Sequence, residues 1–188
     1  TVLPYGVRLA WADLPARVRA WVGEQLGAPV VDAVTRPAGF SPGVATRVVS
    51  ATGRRAFVKA VGPEPNPDTA GLHRREAAVL AALPAGLPAP RLLAALDEDG
   101  WAALLLEDVA GRHPGEPWTP EEAAASLGAL EAVAAVRAPA DWPDLAEELA
   151  GRFTAWSRIA QHPPADLDPW AARRIGELDE LAQATLAR

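Results

Sequence analysis

The sequence predicts an α+β fold: a five-stranded antiparallel sheet with one packed helix, followed by an all-α segment. Three observations lead there. Short runs rich in Val, Leu and Ala, separated by Gly- and Asp-containing turns, fill residues 30–61 and 91–109. One helical pattern, at 70–83, interrupts them, and from Thr119 onward only helical periodicity remains. With 188 residues the chain is long for one domain and short for two, so a pair of small lobes is expected.

Each element has a local reason. Asp13-Leu14-Pro15 opens a helix, with Asp13 expected as N-cap and proline in the first turn. Val18, Trp21, Val22 and Leu26 give that helix an apolar face, and Gly27 ends it. Residues 30–36 alternate as a strand, Pro37 to Gly43 form a turn-rich segment, and Val44 to Ser50 make the next strand. Thr52-Gly53 reads as a hairpin turn into Arg55 to Val61. After the proline-rich loop 62–69, a helix is expected from Ala70 to Leu83, stopped by Pro84 and Gly86. Strands Arg91–Leu96 and Trp101–Val109 follow across the turn 97–100. Thr119-Pro120-Glu121-Glu122 is a capping box opening a helix to about Val136. Asp141 and Asp168 precede further helices at 142–160 and 169–187. The expected organisation is an N-terminal helix (1–29), a strand-rich lobe (30–110) and a helical lobe (111–188).

Composition narrows the function classes. At 49% hydrophobic and 22% charged residues this is an ordinary globular chain, and at such a length roughly 70% of the unfolded surface is buried without a staple. The absence of cysteine excludes disulfides, Cys-ligated zinc and thiol catalysis. A net charge of −6 with no basic stripe argues against nucleic acid and anionic membranes as partners. TVLPYGVRLAW lacks the pattern of a signal peptide, and the longest apolar run, Trp101 to Leu106, is far too short to span a bilayer, so a cytoplasmic protein is expected.

One residue stands apart. Lys59, in FVKAV, is the only lysine among 18 basic residues. Heavy Ala, Arg, Pro and Gly usage points to GC-rich coding, which accounts for the missing lysines and leaves the retained one to be explained. On a strand Lys59 shares a face with Phe57 and Val61. The following helix carries Leu72, Val79, Leu80 and Leu83 on its apolar stripe, with Glu76 in the middle. A carboxylate on a core-facing stripe needs a cation, and Lys59 is the nearest unassigned one. Alone, the pair fits a structural ion pair equally well. The loop Gly39-Phe40-Ser41-Pro42-Gly43 favours a ligand, because glycine permits close backbone approach and Ser41 adds donors that suit a phosphate chain.

The order of parts resembles the small lobe of the protein-kinase-like fold. PAGFSPGVATRVVSATGRRAFVKAV, HRREAAVLAAL and WAALLLEDVAG look most like the aminoglycoside phosphotransferase family, over roughly residues 30–140. The resemblance implies that residues 30–110 bind ATP and that 111–188 begin the substrate lobe. It implies that Lys59 holds the α/β-phosphates and Glu76 positions it. It also implies a hinge at Leu106-Glu107-Asp108-Val109, with the Glu107 carbonyl and the Val109 backbone facing adenine. Gly39, Phe40, Ser41 and Gly43 would cover the phosphates, with Ser41 in place of the second glycine and the third off register at Gly43. The implied reaction moves the γ-phosphate of ATP, with Mg2+, to a hydroxyl of an aminoglycoside-like or other polar metabolite.

No His-Gly-Asp-x-x-x-x-Asn-like loop is present, so the catalytic Asp and the metal ligands are expected beyond residue 188 and the chain alone is expected to be inactive. His162 to Asp166 has the wrong spacing for that loop, Asp168 before Pro169 reads as an N-cap, and His113 and His73 read as solvated. Trp118, Trp142, Trp156 and Trp170 could wall a substrate site but are expected to pack between helices. Glu147, Glu148 and Glu177 fall on solvated faces. Three alternatives stay open: a fructosamine, choline, homoserine or macrolide kinase of the same fold, a non-catalytic kinase-like binding module, and a regulatory α+β domain with an incidental Lys–Glu pair.

Overall fold

The computed structural model describes residues 8–36, 42–63, 67–112, 114–140, 142 and 145–186. The chain divides into two compact units, Thr1–Arg137 and Ala138–Arg188. Among the described residues no helix is long and apolar enough to cross a membrane.

The first unit is built on a five-stranded sheet. Its strands are β1 (Val30–Thr35), β2 (Val44–Ser50), β3 (Arg55–Val61), β4 (Leu92–Glu98) and β5 (Trp101–Leu106), in the order β1-β2-β3-β5-β4. Every neighbouring pair is antiparallel. The hairpin turn falls where expected, with Gly53 at φ +82 and its amide donating to Ser50 O at 2.8 Å.

Strand alternation gives the sheet two different faces. The far face collects Val44, Val48, Ala56, Val58, Ala60, Ala103 and Leu105, and α1 (Ala16–Leu26) covers it with Val18, Val22 and Leu26, helped by Leu14. This is the dry core, and each of those eleven side chains is at most 2% exposed. The near face carries Ala45 and Arg47 of β2, Phe57, Lys59 and Val61 of β3, and Ala102, Leu104 and Leu106 of β5. There α2 (Pro67–Ala82) buries Ala70 against Val61 and Ala102.

Three of the boundaries that differ from expectation have a local cause. Asp13 does not cap α1: its carboxylate turns back to accept the Ala10 N–H at 2.9 Å in a short 3-10 turn, Trp11–Asp13. Pro15, extended at φ −52 and ψ 141, makes the entry to α1 instead. α2 starts at Pro67, before the expected Ala70, with proline suited to a first turn whose N–H groups have no intrahelical partner. β5 ends at Leu106, because the next residues leave the ladder for other partners.

α3 (Pro120–Ala134) follows the sequence closely. Thr119 Oγ1 accepts from the Glu122 N–H at 3.2 Å, and Glu122 Oε2 accepts from the Thr119 N–H at 3.0 Å. The bonds from the Thr119 N–H, the Arg112 side chain and the Gly115 N–H hold the Glu122 carboxyl below its ordinary range.

In the second unit the helix expected at 142–160 is two helices, α4 (Leu145–Phe153) and α5 (Ala155–Gln161). Thr154 separates them, and its hydroxyl donates to Gly151 O at 2.9 Å, a carbonyl that lies in the last turn of α4. Asp141 lies outside the described residues. α6 (Pro169–Leu186) is capped as expected, with Asp168 Oδ1 accepting the Trp170 N–H at 2.8 Å. Ser157 Oγ donates to Asp179 Oδ1 at 2.7 Å and ties α5 to α6.

Candidate functional site

The near face of the first sheet carries the candidate site. Lys59 sits mid-strand with Ala45 and Leu104 as its lateral neighbours. Its ammonium donates to both oxygens of Glu76, at 2.7 and 2.9 Å, so the pairing read from the sequence forms. The side chains remain 35% and 32% exposed.

Glu76 is aimed by the way α2 is seated. Arg74 makes a fork to Asp97 of β4, its Nε and a terminal nitrogen donating at 2.9 and 2.8 Å. That fork raises the Arg74 pKa and lowers that of Asp97. Beneath it, His73 is buried rather than solvated, at 6% exposure. The reason is helical phase: α2 turns Ala70 and His73 inward, with Glu76 half-buried, and leaves Leu72, expected on the apolar stripe, 50% exposed. His73 Nδ1 lies 3.0 Å from Thr69 O, and since a carbonyl only accepts, that nitrogen carries the proton. Burial pushes the His73 pKa down, against smaller upward pulls from the Thr69 carbonyl and Glu76.

A cavity of about 210 Å3 opens beside the pair, lined by Arg47, Phe57, Lys59, Glu76, Pro90, Leu106, Glu107, Asp108 and Val109. Its wall after β5 is firmly held. The Glu107 N–H donates to Arg91 O at 2.9 Å, and Arg91 Nε returns a bond to the Glu107 carboxylate at 3.1 Å. Asp108, with its side chain 8% exposed, lies between Arg47 Nε at 2.7 Å and Arg55 Nε at 2.9 Å. A terminal nitrogen of Arg47 also donates to Val109 O at 2.7 Å. Sequence reasoning did not single out Arg47 or Asp108 as site residues. The available signal was an arginine in the interior of an otherwise uncharged strand, on the Lys59 face by alternation.

Of the remaining expected site residues, Gly39, Phe40 and Ser41 lie outside the described residues. Gly43 is described, and the fold itself requires glycine there. It has φ +106, and a Cβ would lie 2.4 Å from the Ala60 carbonyl oxygen. His113 lies outside the described residues. Trp118 and Trp170 are half-exposed rather than packed between helices, and the Trp170 ring carries the Arg174 guanidinium 5.0 Å from its centroid. Trp156 lines a groove of about 430 Å3 between α5 and α6.

A lone lysine chelated by a helix glutamate beside a cavity is the part a phosphate-handling enzyme needs, and the wider sequence pattern agrees. The model of the phosphotransferase enzyme family, abbreviated APH, matches residues 36–188. The chain belongs to that family. No curated protein and no solved structure matches the chain. Membership makes this a phosphotransferase-type protein, and the α+β architecture with its five-stranded antiparallel sheet is consistent with the N-terminal lobe of a kinase-like fold.

Phosphotransferases commonly pair nucleotide with magnesium, which prefers carboxylate and phosphate oxygens. Among the described residues no group of three or more His, Asp or Glu side chains could hold a metal ion. Both oxygens of Glu76, the one cavity carboxylate beside Lys59, are engaged by the ammonium. The described residues therefore do not form a metal cage.

Proposed function

We propose that this phosphotransferase binds ATP in the cavity beside Lys59 and that its reaction moves the γ-phosphoryl group to a hydroxyl of an aminoglycoside-like or other polar metabolite. In this reading residues 30–110 are the nucleotide lobe and residues 111–188 contribute helices towards the acceptor. The cavity, at about 210 Å3, is below the roughly 300–1,000 Å3 of a pocket for a whole drug-sized ligand. It suits one end of a nucleotide: a base against the backbone of Glu107 and Val109, with Phe57 and Leu106 as apolar walls.

Lys59 donates to oxygens of the α/β-phosphates, and Glu76 holds the ammonium in place. The Ala45 methyl opposite the lysine leaves room beside its stem. In transfer, the acceptor oxygen forms a bond to Pγ while the bond from Pγ to the β-bridging oxygen breaks, ADP departs with that bonding pair, and the acceptor proton passes to water. Lys59 favours that step by holding the departing diphosphate where its charge develops.

The observation that carries this reading is the two-oxygen grip of Glu76 on Lys59 at the mouth of that cavity. An ion pair this exposed adds at most about 1 kcal/mol to stability, so stability alone is a poor reason for retaining the single lysine. Isothermal titration with ATP tests it. Lys59→Ala is expected to weaken binding about tenfold or more while circular dichroism stays unchanged. A folded Lys59→Ala protein with unaltered ATP affinity would overturn the assignment.

A further inference from the structure

We infer that the edge strand β1 is a self-association surface, to which a second copy of this chain adds its own β1 antiparallel, joining the two sheets into one. β1 ends the strand order, and among the described residues β2 is its only strand neighbour. The Arg36 N–H donates to Ala45 O at 2.8 Å, so Arg36 turns its backbone towards β2. Bonding direction alternates along an antiparallel strand, so Asp32 and Val34 do the same, and Ala33 and Thr35 turn their N–H and C=O groups outward. Among the described residues those outward groups have no backbone partner. Such an edge is a template for another chain.

Edges are commonly blunted by proline or by a bulge that twists the strand away. Within β1 there is no proline, and its bulge lies at the start, between Val30 and Asp32. From Ala33 to Thr35 the ladder is regular. Val34 lies opposite Arg47 on the face that carries Lys59, and it is 47% exposed. Asp32 and Arg36 alternate onto the same face, both exposed, and among the described residues neither has an ion-pair partner.

One register makes this strand its own complement. With a two-fold axis at Val34, that residue faces Val34 of the second copy, Ala33 faces Thr35, and Asp32 faces Arg36. The outward-turned Ala33 and Thr35 then form the hydrogen-bonded pairs. Val34 with Val34, and Asp32 with Arg36, fall at the non-hydrogen-bonded positions, where side chains come closest. Two opposite-charge pairs thus flank an apolar contact on the axis. An axis at Ala33 would also join the outward groups, but it sets Asp32 against Val34 and leaves the charges unmatched. Charge selects the register, and a second copy carries both charges at the required spacing.

Sedimentation equilibrium of the full chain, over about 1–500 µM, tests the inference. One strand pair is a small interface of the transient class, so a dimer with a dissociation constant of about 10–100 µM is expected. Asp32→Arg sets arginine against Arg36, and Arg36→Asp sets aspartate against Asp32. Each should weaken association about tenfold or more, because both copies lose a pair and gain a like-charge contact. The double exchange, Asp32→Arg with Arg36→Asp, restores both pairs and should return to within about threefold of the parent. Val34→Lys places two ammonium groups together on the axis and should leave monomer throughout. All three positions are exposed, so circular dichroism should stay unchanged. Rescue by exchange separates pairing from an effect on the strand itself. A parent that stays monomeric at the highest concentration overturns the inference, as does a double exchange no better than the single variants. A dimer that persists in Val34→Lys overturns it too, and would place the contact on another apolar surface, such as the exposed Leu127 and Leu130 of α3.

Discussion

Glu76 gives both of its carboxylate oxygens to the single ammonium of Lys59, 2.7 and 2.9 Å away, although each side chain keeps about a third of its surface in solvent. At such exposure the pair contributes about 0–1 kcal/mol to folding, so its charges can be exchanged without unfolding the protein. The double variant Lys59→Glu with Glu76→Lys is expected to lie within about 1 kcal/mol of the parent in urea denaturation. It should lose ATP binding, because the cation would then leave from the helix and not from β3. An exchanged protein that binds ATP as the parent does would show that the position of the ammonium is immaterial.

His73 makes stability depend on pH. Its pKa in the folded protein lies below the ordinary value of 6.5, first because it is buried. The unfolded chain therefore binds a proton at His73 more readily than the folded one does. The associated stability is fully present above pH 6.5 and is lost as pH falls from 6.5 through the lower folded value. Urea midpoints measured between pH 8 and pH 5 should fall on acidification. His73→Gln should flatten that fall, and an equally steep fall in the variant would assign it to other groups.

Much of this architecture is legible from short-range chemistry. The β2–β3 hairpin follows from alternation and Gly53, α3 from its capping box, and the Lys59–Glu76 pair from one unmatched charge on each of two faces that must meet. What escapes the sequence depends on phase or on distance. The burial of His73 follows from the phase of α2, which begins at Pro67, before the apolar stripe is apparent. The contact of Arg47 with Asp108 and Val109 joins points about sixty residues apart, and ion pairs leave no periodicity to read. The break at Thr154 turns on one hydroxyl that bonds either to the backbone or to solvent.

Gly43 tests whether its glycine serves the fold. At φ +106, an added Cβ would press to 2.4 Å from the Ala60 carbonyl oxygen and 3.1 Å from Val61 Cβ. Neither neighbour is the loose end of a flexible side chain. Gly43→Ala is expected to destabilise the protein by about 2–4 kcal/mol, from backbone strain and displacement of β3 together. Chemical denaturation measures this directly. A loss below about 0.5 kcal/mol would mean that β2 shifts freely here and that glycine has some other reason.

The sheet separates the core under α1 from the face that carries Lys59, and Leu26 can show how completely. Leu26 is 1% exposed on the last turn of α1, within the cluster that includes Val48, Val58 and Leu105. Leu26→Ala removes three buried carbons and leaves a cavity, at a cost of about 2–5 kcal/mol. Val58 alternates with Phe57 and Lys59 along β3, so the loss falls on the face opposite the ammonium. Below its melting transition the variant should bind ATP within about twofold of the parent, because Lys59, Glu76 and Arg47 keep their own contacts. A fall in affinity comparable to that of Lys59→Ala would mean that α1 sets the near face through the sheet, and that the two faces act as one unit.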